Sequence, residues 1–271
     1  MPGVAVIGNL SRDVVDGGPP RVGGPAYYAG RALRVLGSRA RIVTRCAPED
    51  RRLLLSRVVA LGVPVAWEAA DETTAFSFRY AGEHREMRVD AVGDQWTPAD
   101  ARGWAGRALG RSEWVLLGGL LRDDFPAATL AELSRGRRLL LDGQGLVRAR
   151  RTGPLAYDAE LDHDVLRRLA ILKLSEEEAS ALTGSAEPEA LHDLGVPEVI
   201  VTLGARGSVV VAGGRIERIA VRRVTGRVDP TGAGDAFCAA YVDSRAAGHA
   251  PGSAARRASA LVSGLLVGRA G

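Results

Sequence analysis

Lysine is almost absent from this sequence, since Lys173 is the only one among 271 residues. A phosphate-binding P-loop requires Gly-Lys-Ser or Gly-Lys-Thr, and Lys173 follows a leucine, so this nucleotide motif is excluded. Positive charge is carried by arginines instead, which are scattered among acidic residues and leave a net charge of +4. Because they form no basic block, we expect no nucleic-acid partner.

Cysteine and long apolar runs are also scarce. Cys46 and Cys238 lie far apart without the spacing of metal ligands, so we expect two small hydrophobic side chains in a reducing compartment. No apolar run approaches the ~20 residues that a membrane helix needs. Residues 1–8 lack the basic flank and the apolar length of a signal peptide. We therefore expect a cytoplasmic protein with no membrane partner.

Short apolar segments rich in β-branched residues alternate with helix-like segments along the chain. This alternation predicts right-handed βαβ units and a mainly parallel sheet covered by helices. The predicted buried strands are residues 4–8, 40–44, 114–117, 139–142, 171–174 and 199–203. The predicted helices are residues 26–36, 50–61, 98–108, 126–134, 164–169, 176–182, 235–245 and 253–267.

Two segments, about 9–22 and 73–89, break this pattern within what we predict to be a single domain, residues 1–271. The second alternates polar and apolar residues around Ala81, Gly82 and Glu83, which predicts a hairpin with a glycine turn. A small sheet projecting from the main body could cover a ligand as a lid. A surface hairpin without that role is the alternative.

The segment from Asp229 to Phe237 carries the strongest chemical signal. Gly232 and Gly234 allow a tight turn whose amides share one concavity, and the apolar residues after Asp235 begin a helix there. A helix N-terminus behind such amides favours a phosphate or a developing oxyanion. At this position Asp235 could accept a proton from a hydroxyl, or could only cap the helix. The dinucleotide fingerprint lacks its third glycine, because Phe237 stands there.

This segment closely resembles the C-terminal signature of the ribokinase/PfkB carbohydrate kinases, and the resemblance extends over nearly the whole chain. It implies an α/β fold, a ribokinase-like doubly wound, mainly parallel sheet flanked by helices, with a small β lid. It also implies ATP-dependent transfer of a phosphoryl group to a hydroxyl of a small sugar or polyol. In that reaction Asp235 would be the general base, and the amides of Gly232, Ala233 and Gly234 would form the anion hole.

Two N-terminal blocks match the part of the family pattern that binds substrate. Residues 8–13 resemble the block whose final aspartate binds substrate hydroxyls, which implies this role for Asp13. Gly23 and Gly24 match the glycine pair that opens the first long helix. Tyr28 departs from the pattern, because the family often has asparagine there, so hydrogen bonding to the substrate must differ. Its ring could bind a substrate ring or belong to the core.

Two later blocks match the part of the pattern that binds the nucleotide. Ser175 to Glu178 stands where the family has Asn-x-x-Glu, so the resemblance assigns Glu178 to Mg²⁺ and Ser175 to the nucleotide site. Thr202, Gly204 and Gly207 match a Thr-x-Gly-x-x-Gly turn that borders the nucleotide phosphates. The implied cofactors are ATP and Mg²⁺, and the family also allows a monovalent-cation requirement and either a monomer or a homodimer.

The choice of substrate stays open at this stage. Residues 8–13 and 141–148, together with the tyrosine pair Tyr27 and Tyr28, look more like the inositol-kinase branch than like ribokinase. Asp142 and Arg148 are candidates at a strand end that faces the same cleft in family members. A nucleoside kinase of the same family is an alternative, and it would place an aromatic residue such as Tyr28, Phe76 or Phe78 against a base. A catalytically silent ligand-binding protein is another, because the family's asparagines are replaced by Ser175 and Tyr28.

Overall fold

The computed structural model of this protein describes residues 3–81, 84–221 and 229–267. In chain order the strands are β1 (Val4–Asn9), β2 (Ser11–Val15), β3 (Arg21–Gly23), β4 (Ala40–Cys46), β5 (Val65–Ala69), β6 (Thr74–Ala81), β7 (His84–Ala91), β8 (Trp114–Gly118), β9 (Arg138–Asp142), β10 (Gly153–Pro154), β11 (Ile171–Ser175), β12 (Glu198–Thr202), β13 (Ser208–Ala212) and β14 (Arg215–Ile219). The helices are α1 (Pro25–Val35), α2 (Arg51–Val59), α3 (Pro98–Arg102), α4 (Trp104–Leu109), α5 (Ala127–Leu133), α6 (Gln144–Val147), α7 (His163–Leu166), α8 (Glu176–Thr183), α9 (Pro188–His192), α10 (Ala233–Ala246) and α11 (Pro251–Val267).

A nine-stranded sheet forms the centre of the molecule, in the order β14-β13-β12-β11-β9-β8-β1-β4-β5. The seven strands from β12 to β5 in this order are parallel, while β13 and β14 are antiparallel. Every residue of β1 is buried, as expected for a central strand covered on both faces. The α/β fold and the mainly parallel sheet predicted from the sequence are therefore confirmed.

Helices cover both faces of this sheet and enclose two apolar cores. One core includes Leu109 of α4 and Leu130 of α5. The other includes Leu33 of α1, Phe237 of α10 and Ala255 of α11. Helix α10 is thus held against the sheet by its apolar side chains, which fixes the position of its N-terminus at the edge where parallel strands end.

A separate five-stranded sheet has the order β10-β7-β6-β2-β3. Four of its strands fall within the two segments that broke the βα alternation, whereas the two-residue strand β10 was not anticipated. Phe76, Phe78 and Val89 are buried on one face of this sheet. The glycine turn predicted at Gly82 and Glu83 lies outside the described residues. Whether this sheet acts as a lid remains a prediction.

Some predicted elements differ from the structure in a physically simple way. The helix predicted over 98–108 is divided at Gly103, whose φ of −90° and ψ of −124° interrupt the helical backbone. The antiparallel pair β13 and β14 was missed, because Gly213 and Gly214 at its turn are followed by a strand whose first four residues are exposed and mostly charged. Across the described ranges, no helix combines the length and the apolar character needed to cross a bilayer.

Candidate active site

Asp13 lies on β2 in a position fixed by its neighbours. Asp13 is only 4% exposed, and its Oδ1 accepts a hydrogen bond from the Ser11 hydroxyl at 2.7 Å. Strand β3 runs antiparallel to β2, and a Cβ on Gly23 would lie 2.1 Å from Oδ2 of Asp13. Glycine at residue 23 is therefore required for the carboxylate to occupy this place.

The turn before α10 is stabilised by local hydrogen bonds. Oδ1 of Asp229 accepts from the backbone N–H of Thr231 at 2.9 Å and from its hydroxyl at 2.6 Å. Gly232 then adopts a left-handed conformation with φ of 75°, which reverses the chain into the helix. The N–H of Ala233 donates to the carbonyl of Pro230 at 2.9 Å. In this state the N–H of Ala233 is therefore engaged within the turn that the sequence predicts to be the anion hole.

Asp235 is the third residue of α10 and is the acidic residue of its first turn. Burial and, secondly, the negative charge of the nearby Asp142 raise the pKa of its carboxyl, Lys173 and Arg148 act in the opposite direction, and the resulting pKa is about 7. A carboxylate with a pKa near neutrality is suited to accept a proton at physiological pH. A raised pKa of this kind is common at catalytic sites, and the role of Asp235 as a general base remains a prediction.

A buried ion pair lies beside the first turn of α10. Lys173 of β11 and Asp142 of β9 are paired in the sheet register, and their side chains meet with Nζ 3.0 Å from Oδ1. Glu178 adds a third buried charged side chain, and burial raises the pKa of its carboxyl. The thiol of Cys238 lies 3.8 Å from Oδ2 of Asp142, and burial raises its pKa well above the usual value. The thiol is therefore not reactive at neutral pH.

Tyr28 of α1 lines the same cavity as Asp13 and contacts the turn before α10. A Cβ on Gly232 would lie 2.3 Å from the Tyr28 ring, so the ring packs directly on the glycine backbone. Burial raises the pKa of the phenol, and the negative charges of Asp13 and Asp235 raise it further. The hydroxyl therefore stays protonated and can donate a hydrogen bond.

These groups surround one cavity of about 180 Å³. Phe76, Phe78 and Met87 of the smaller sheet contribute apolar side chains to its lining, and most of the other lining side chains are polar or charged. The predicted residues that line it are Asp13, Gly24, Tyr28, Asp142, Arg148, Glu178, Gly232, Gly234 and Asp235. Residues predicted to bind the acceptor, such as Asp13 and Tyr28, thus line the same cavity as Asp235, the predicted base.

A smaller cavity of about 140 Å³ shares Gly234 with the first cavity. It is lined by residues of two predicted blocks, namely Thr202, Gly204, Gly207, Ala233 and Gly234, together with Phe237 and Ser259. Gly207 has a φ of 95°, and a Cβ there would meet the carbonyl oxygen of Ile219 at 2.0 Å, so only glycine fits this position. Three of the residues predicted to bind the nucleotide, Thr202, Gly204 and Gly207, therefore line one cavity together with Ala233 and Gly234 of the predicted anion hole.

Ser175 and Glu178 form a capping box at the start of α8. The Ser175 hydroxyl accepts from the N–H of Glu178 at 3.1 Å, and Oε2 of Glu178 accepts from the N–H of Ser175 at 2.7 Å. Ser175 does not line either of the two cavities described above, whereas Glu178 lines the larger one. The part of the chain that the structure describes contains no group of three or more acidic, histidine or cysteine side chains that could hold a metal ion.

A single carboxylate such as Glu178 still suits Mg²⁺, which keeps several waters and takes the rest of its ligands from phosphate oxygens. The hard oxygen of Glu178, at the wall of the larger cavity, fits that mode of binding. The role of Glu178 as a magnesium-organising residue remains a prediction.

Sequence reasoning missed several side chains of the larger cavity. Ser11, Gln144, Lys173, Met87 and Leu120 line it but had no assigned role. Gln144 could have been recognised, since it follows the strand end at Asp142. The contribution of Leu120 depends on the tertiary structure and had no sequence signal.

The position of Leu120 is set by a buried carboxylate. Asp124 accepts from the N–H groups of Leu120 at 2.8 Å and Leu121 at 3.2 Å, and pairs with Arg150 at 2.5 Å. Burial raises the pKa of Asp124 to about 6. This arrangement holds the apolar wall of the cavity in place.

Three features define a small-molecule kinase of the ribokinase-like class. They are a mainly parallel sheet, a second small sheet against the site, and a carboxylate at a glycine turn before a helix. The family model for pfkB family carbohydrate kinases matches residues 21–271, so the chain belongs to that family.

Solved structures of ribokinase-family proteins resemble the chain over almost its whole length. A pyrophosphate-dependent kinase in the ribokinase family, complexed with a pyrophosphate analog and myo-inositol, is 26% identical with a TM-score of 0.84, covering 97% of this chain and 95% of that one. Arabidopsis thaliana ribokinase with ribose and ATP is 19% identical with a TM-score of 0.73, covering 98% and 93%. A Burkholderia thailandensis nucleoside kinase with inosine is 20% identical with a TM-score of 0.76, covering 97% and 90%. The last two support the fold alone.

Proposed function

We propose that this kinase transfers a phosphoryl group from ATP to a hydroxyl of a small sugar or polyol, with Asp235 as the general base. The observation that carries the proposal is that Asp13, Asp235 and the Gly232 turn line one cavity. A base, an acceptor-binding carboxylate and a turn suited to an anion are the parts that in-line phosphoryl transfer requires.

The acceptor would lie between the two carboxylates. Asp13 is held by Ser11 and can accept hydrogen bonds from hydroxyls, which suits a polyol. The hydroxyl nearest Asp235 would lose its proton to that carboxylate and attack the γ-phosphorus of ATP, whose bond to the bridging oxygen breaks so that ADP leaves. Gly232 and Gly234 would receive the charge of the moving phosphoryl group through their amides. Mg²⁺, organised by Glu178, would supply further charge neutralisation when bound.

The size and the walls of the cavity favour a single small ring as the acceptor. Its volume of about 180 Å³ is below the roughly 300 Å³ at which pockets for drug-sized ligands begin. Phe76 and Phe78 contribute apolar rings to its lining, while Gln144 and Arg148 offer hydrogen-bond donors. A cyclitol such as myo-inositol, which a similar solved structure contains, matches this arrangement better than a nucleoside with its additional base.

Pyrophosphate is a second candidate donor. Three similar structures with 25–26% identity are of kinases described as pyrophosphate-dependent. The smaller cavity, which Thr202, Gly204 and Gly207 line, has a volume of about 140 Å³. Pyrophosphate carries the same transferable phosphoryl group but needs no pocket for adenosine. The acceptor chemistry proposed above is the same for both donors.

An activity panel tests the proposal directly. The purified protein is supplied with Mg²⁺ and either ATP or pyrophosphate, together with myo-inositol, ribose, fructose or inosine, and the product is identified by ³¹P NMR. We expect a phosphorylated cyclitol or sugar. If nucleosides alone are consumed, the acceptor proposal is wrong, and if pyrophosphate alone supports turnover, ATP is not the donor.

The general base is tested by Asp235→Asn. Loss of a general base costs about 10²–10⁴-fold in kcat, while donor binding measured by calorimetry should be nearly unchanged. Asp243→Asn lies on the same helix but outside the cavity and serves as the matched control. A rate close to that of the unmodified protein in Asp235→Asn would refute the assignment.

A further inference from the structure

Lys173 occupies an unusual place for the only lysine of the chain. It lies on β11, in the middle of the large sheet, and its side chain is only 6% exposed. A lysine ammonium is rarely buried, because the loss of hydration strongly disfavours the charged form. The inference below concerns this side chain and rests on the function proposed above.

The ammonium is directed at the start of α10. A Cβ on Gly234, in the first turn of that helix, would lie 3.1 Å from Nζ of Lys173. The N-terminus of a helix already carries partial positive charge, so a cation at this point is unfavourable unless negative charge is present as well. Asp142 supplies one such charge, and an anion bound at the Gly232 turn would supply another.

The ion pair with Asp142 does not use all the hydrogen-bond donors of the Lys173 ammonium. A lysine side chain has three N–H donors. Asp142 is the acceptor found for Nζ among the side chains that the structure describes, at 3.0 Å. Because Lys173 also lines the larger cavity, its other donors can reach a ligand there. Gly232, Gly234 and Asp235 line the same cavity, so such a ligand would also meet the predicted anion hole and base.

We propose that Lys173 binds the phosphoryl group during its transfer, acting with the backbone amides of Gly232 and Gly234. A compact ammonium is a point charge suited to phosphate oxygens. In phosphoryl transfer the negative charge spreads over the equatorial oxygens, and a fixed cation beside them stabilises the transition state. Asp142 holds the ammonium in position, since it faces Lys173 from the neighbouring strand.

A purely structural role is the alternative, in which Lys173 only neutralises the buried charge of Asp142. The two roles differ in what they predict for the reaction. A structural lysine would affect folding but would not contact the donor. A catalytic lysine would affect the rate of the chemical step, and its NMR signal would change when the phosphate groups of a donor analogue bind.

The first test is kinetic. In Lys173→Met we expect kcat to fall by about 100-fold or more, the loss typical of removing one electrostatic donor, with KM for the acceptor within about threefold of the original. A kcat within about threefold of the unmodified enzyme would overturn the proposal.

The second test uses the unmodified protein, because Lys173→Met leaves Asp142 buried without its partner and could fail to fold. Labelling with [ε-¹⁵N, ε-¹³C]lysine gives one side-chain signal, since the chain has one lysine. Mg²⁺ is present throughout, and imidodiphosphate or a non-hydrolysable ATP analogue is then added to saturation. We expect the Lys173 signal to shift, and an unmoved signal would overturn the proposal. If calorimetry detects no binding of either analogue, the proposed function itself fails.

Discussion

Asp13 and Gly23 face each other across the β2 and β3 pair so closely that a Cβ on Gly23 would lie 2.1 Å from Oδ2 of Asp13. Real Cβ atoms do not approach an oxygen to this distance, so any side chain at residue 23 must displace the carboxylate. Asp13 has little room to move, because it is 4% exposed and is hydrogen-bonded to Ser11. The glycine thereby fixes the position of the carboxylate that we propose binds acceptor hydroxyls.

Gly23→Ala should therefore impair acceptor binding more than donor binding. We expect KM for the acceptor to rise by about tenfold or more, corresponding to the loss of one hydrogen bond to a charged group, with donor KM little changed. Gly264→Ala is the matched control, since a Cβ at Gly264 of α11 meets no atom within 4 Å. Steady-state kinetics with both substrates measure the effect, and an unchanged acceptor KM in Gly23→Ala would contradict this role of Asp13.

The raised pKa of Asp235 predicts how the rate depends on pH. The base must be deprotonated to accept a proton, so kcat/KM should increase about tenfold per pH unit below the pKa and level off above it. With the carboxyl at about 7, the change of slope should fall near neutrality. Rates measured from pH 5 to 9 at constant ionic strength test this. A profile that is flat down to pH 5 would mean that Asp235 is already ionised in the free enzyme.

Much of the fold was predictable because buried parallel strands have a strong local signal. The apolar run of β1 is one unbroken segment of the sequence, and so is the motif at Asp235. Each can therefore be recognised from a short stretch of residues. The ion pair of Lys173 and Asp142 could not be predicted in this way. Those two residues are 31 positions apart and meet only because β9 and β11 are neighbours in the sheet.

The capping box of α8 illustrates a different limit of sequence reasoning. Ser175 and Glu178 fit both a capping box and the family pattern for the nucleotide and the metal, because the same residue types serve both purposes. The structure places the two side chains in a capping box, and only Glu178 reaches the larger cavity. Sequence alone could not separate these roles.

The same carboxyl of Asp235 should make the folded protein less stable at high pH. Its pKa rises from 3.8 to about 7 on folding, so the folded state binds the proton more tightly than the unfolded state. This contribution to stability is fully present below pH 3.8 and is lost as the pH rises through 7. Asp235→Asn removes the ionisable group and should escape this loss.

We therefore expect Asp235→Asn to unfold at a higher urea concentration than the original protein at pH 8, and the difference to shrink toward pH 4. Because the carboxyl borders a cavity open to solvent, the gain should be about 1–2 kcal/mol in the free energy of unfolding, less than a full burial of charge would give. Asp243→Asn is again the control and should show no such pH-dependent gain. Equal stability of Asp235→Asn and the original protein at pH 8 would show that burial of the Asp235 charge costs little.

Glu178→Gln separates the structural role of this residue from its predicted role with magnesium. The glutamine oxygen can still accept from the N–H of Ser175, so the capping box and the start of α8 should persist, with a change of about 0.5 kcal/mol or less in the free energy of unfolding. The loss of negative charge should weaken Mg²⁺ binding, so half-maximal activity should need about tenfold more Mg²⁺. Glu176→Gln, in the same first turn but ion-paired with Arg206 outside the larger cavity, is the matched control and should keep its original Mg²⁺ requirement. Equal Mg²⁺ dependence in both variants would assign Glu178 to the helix cap alone.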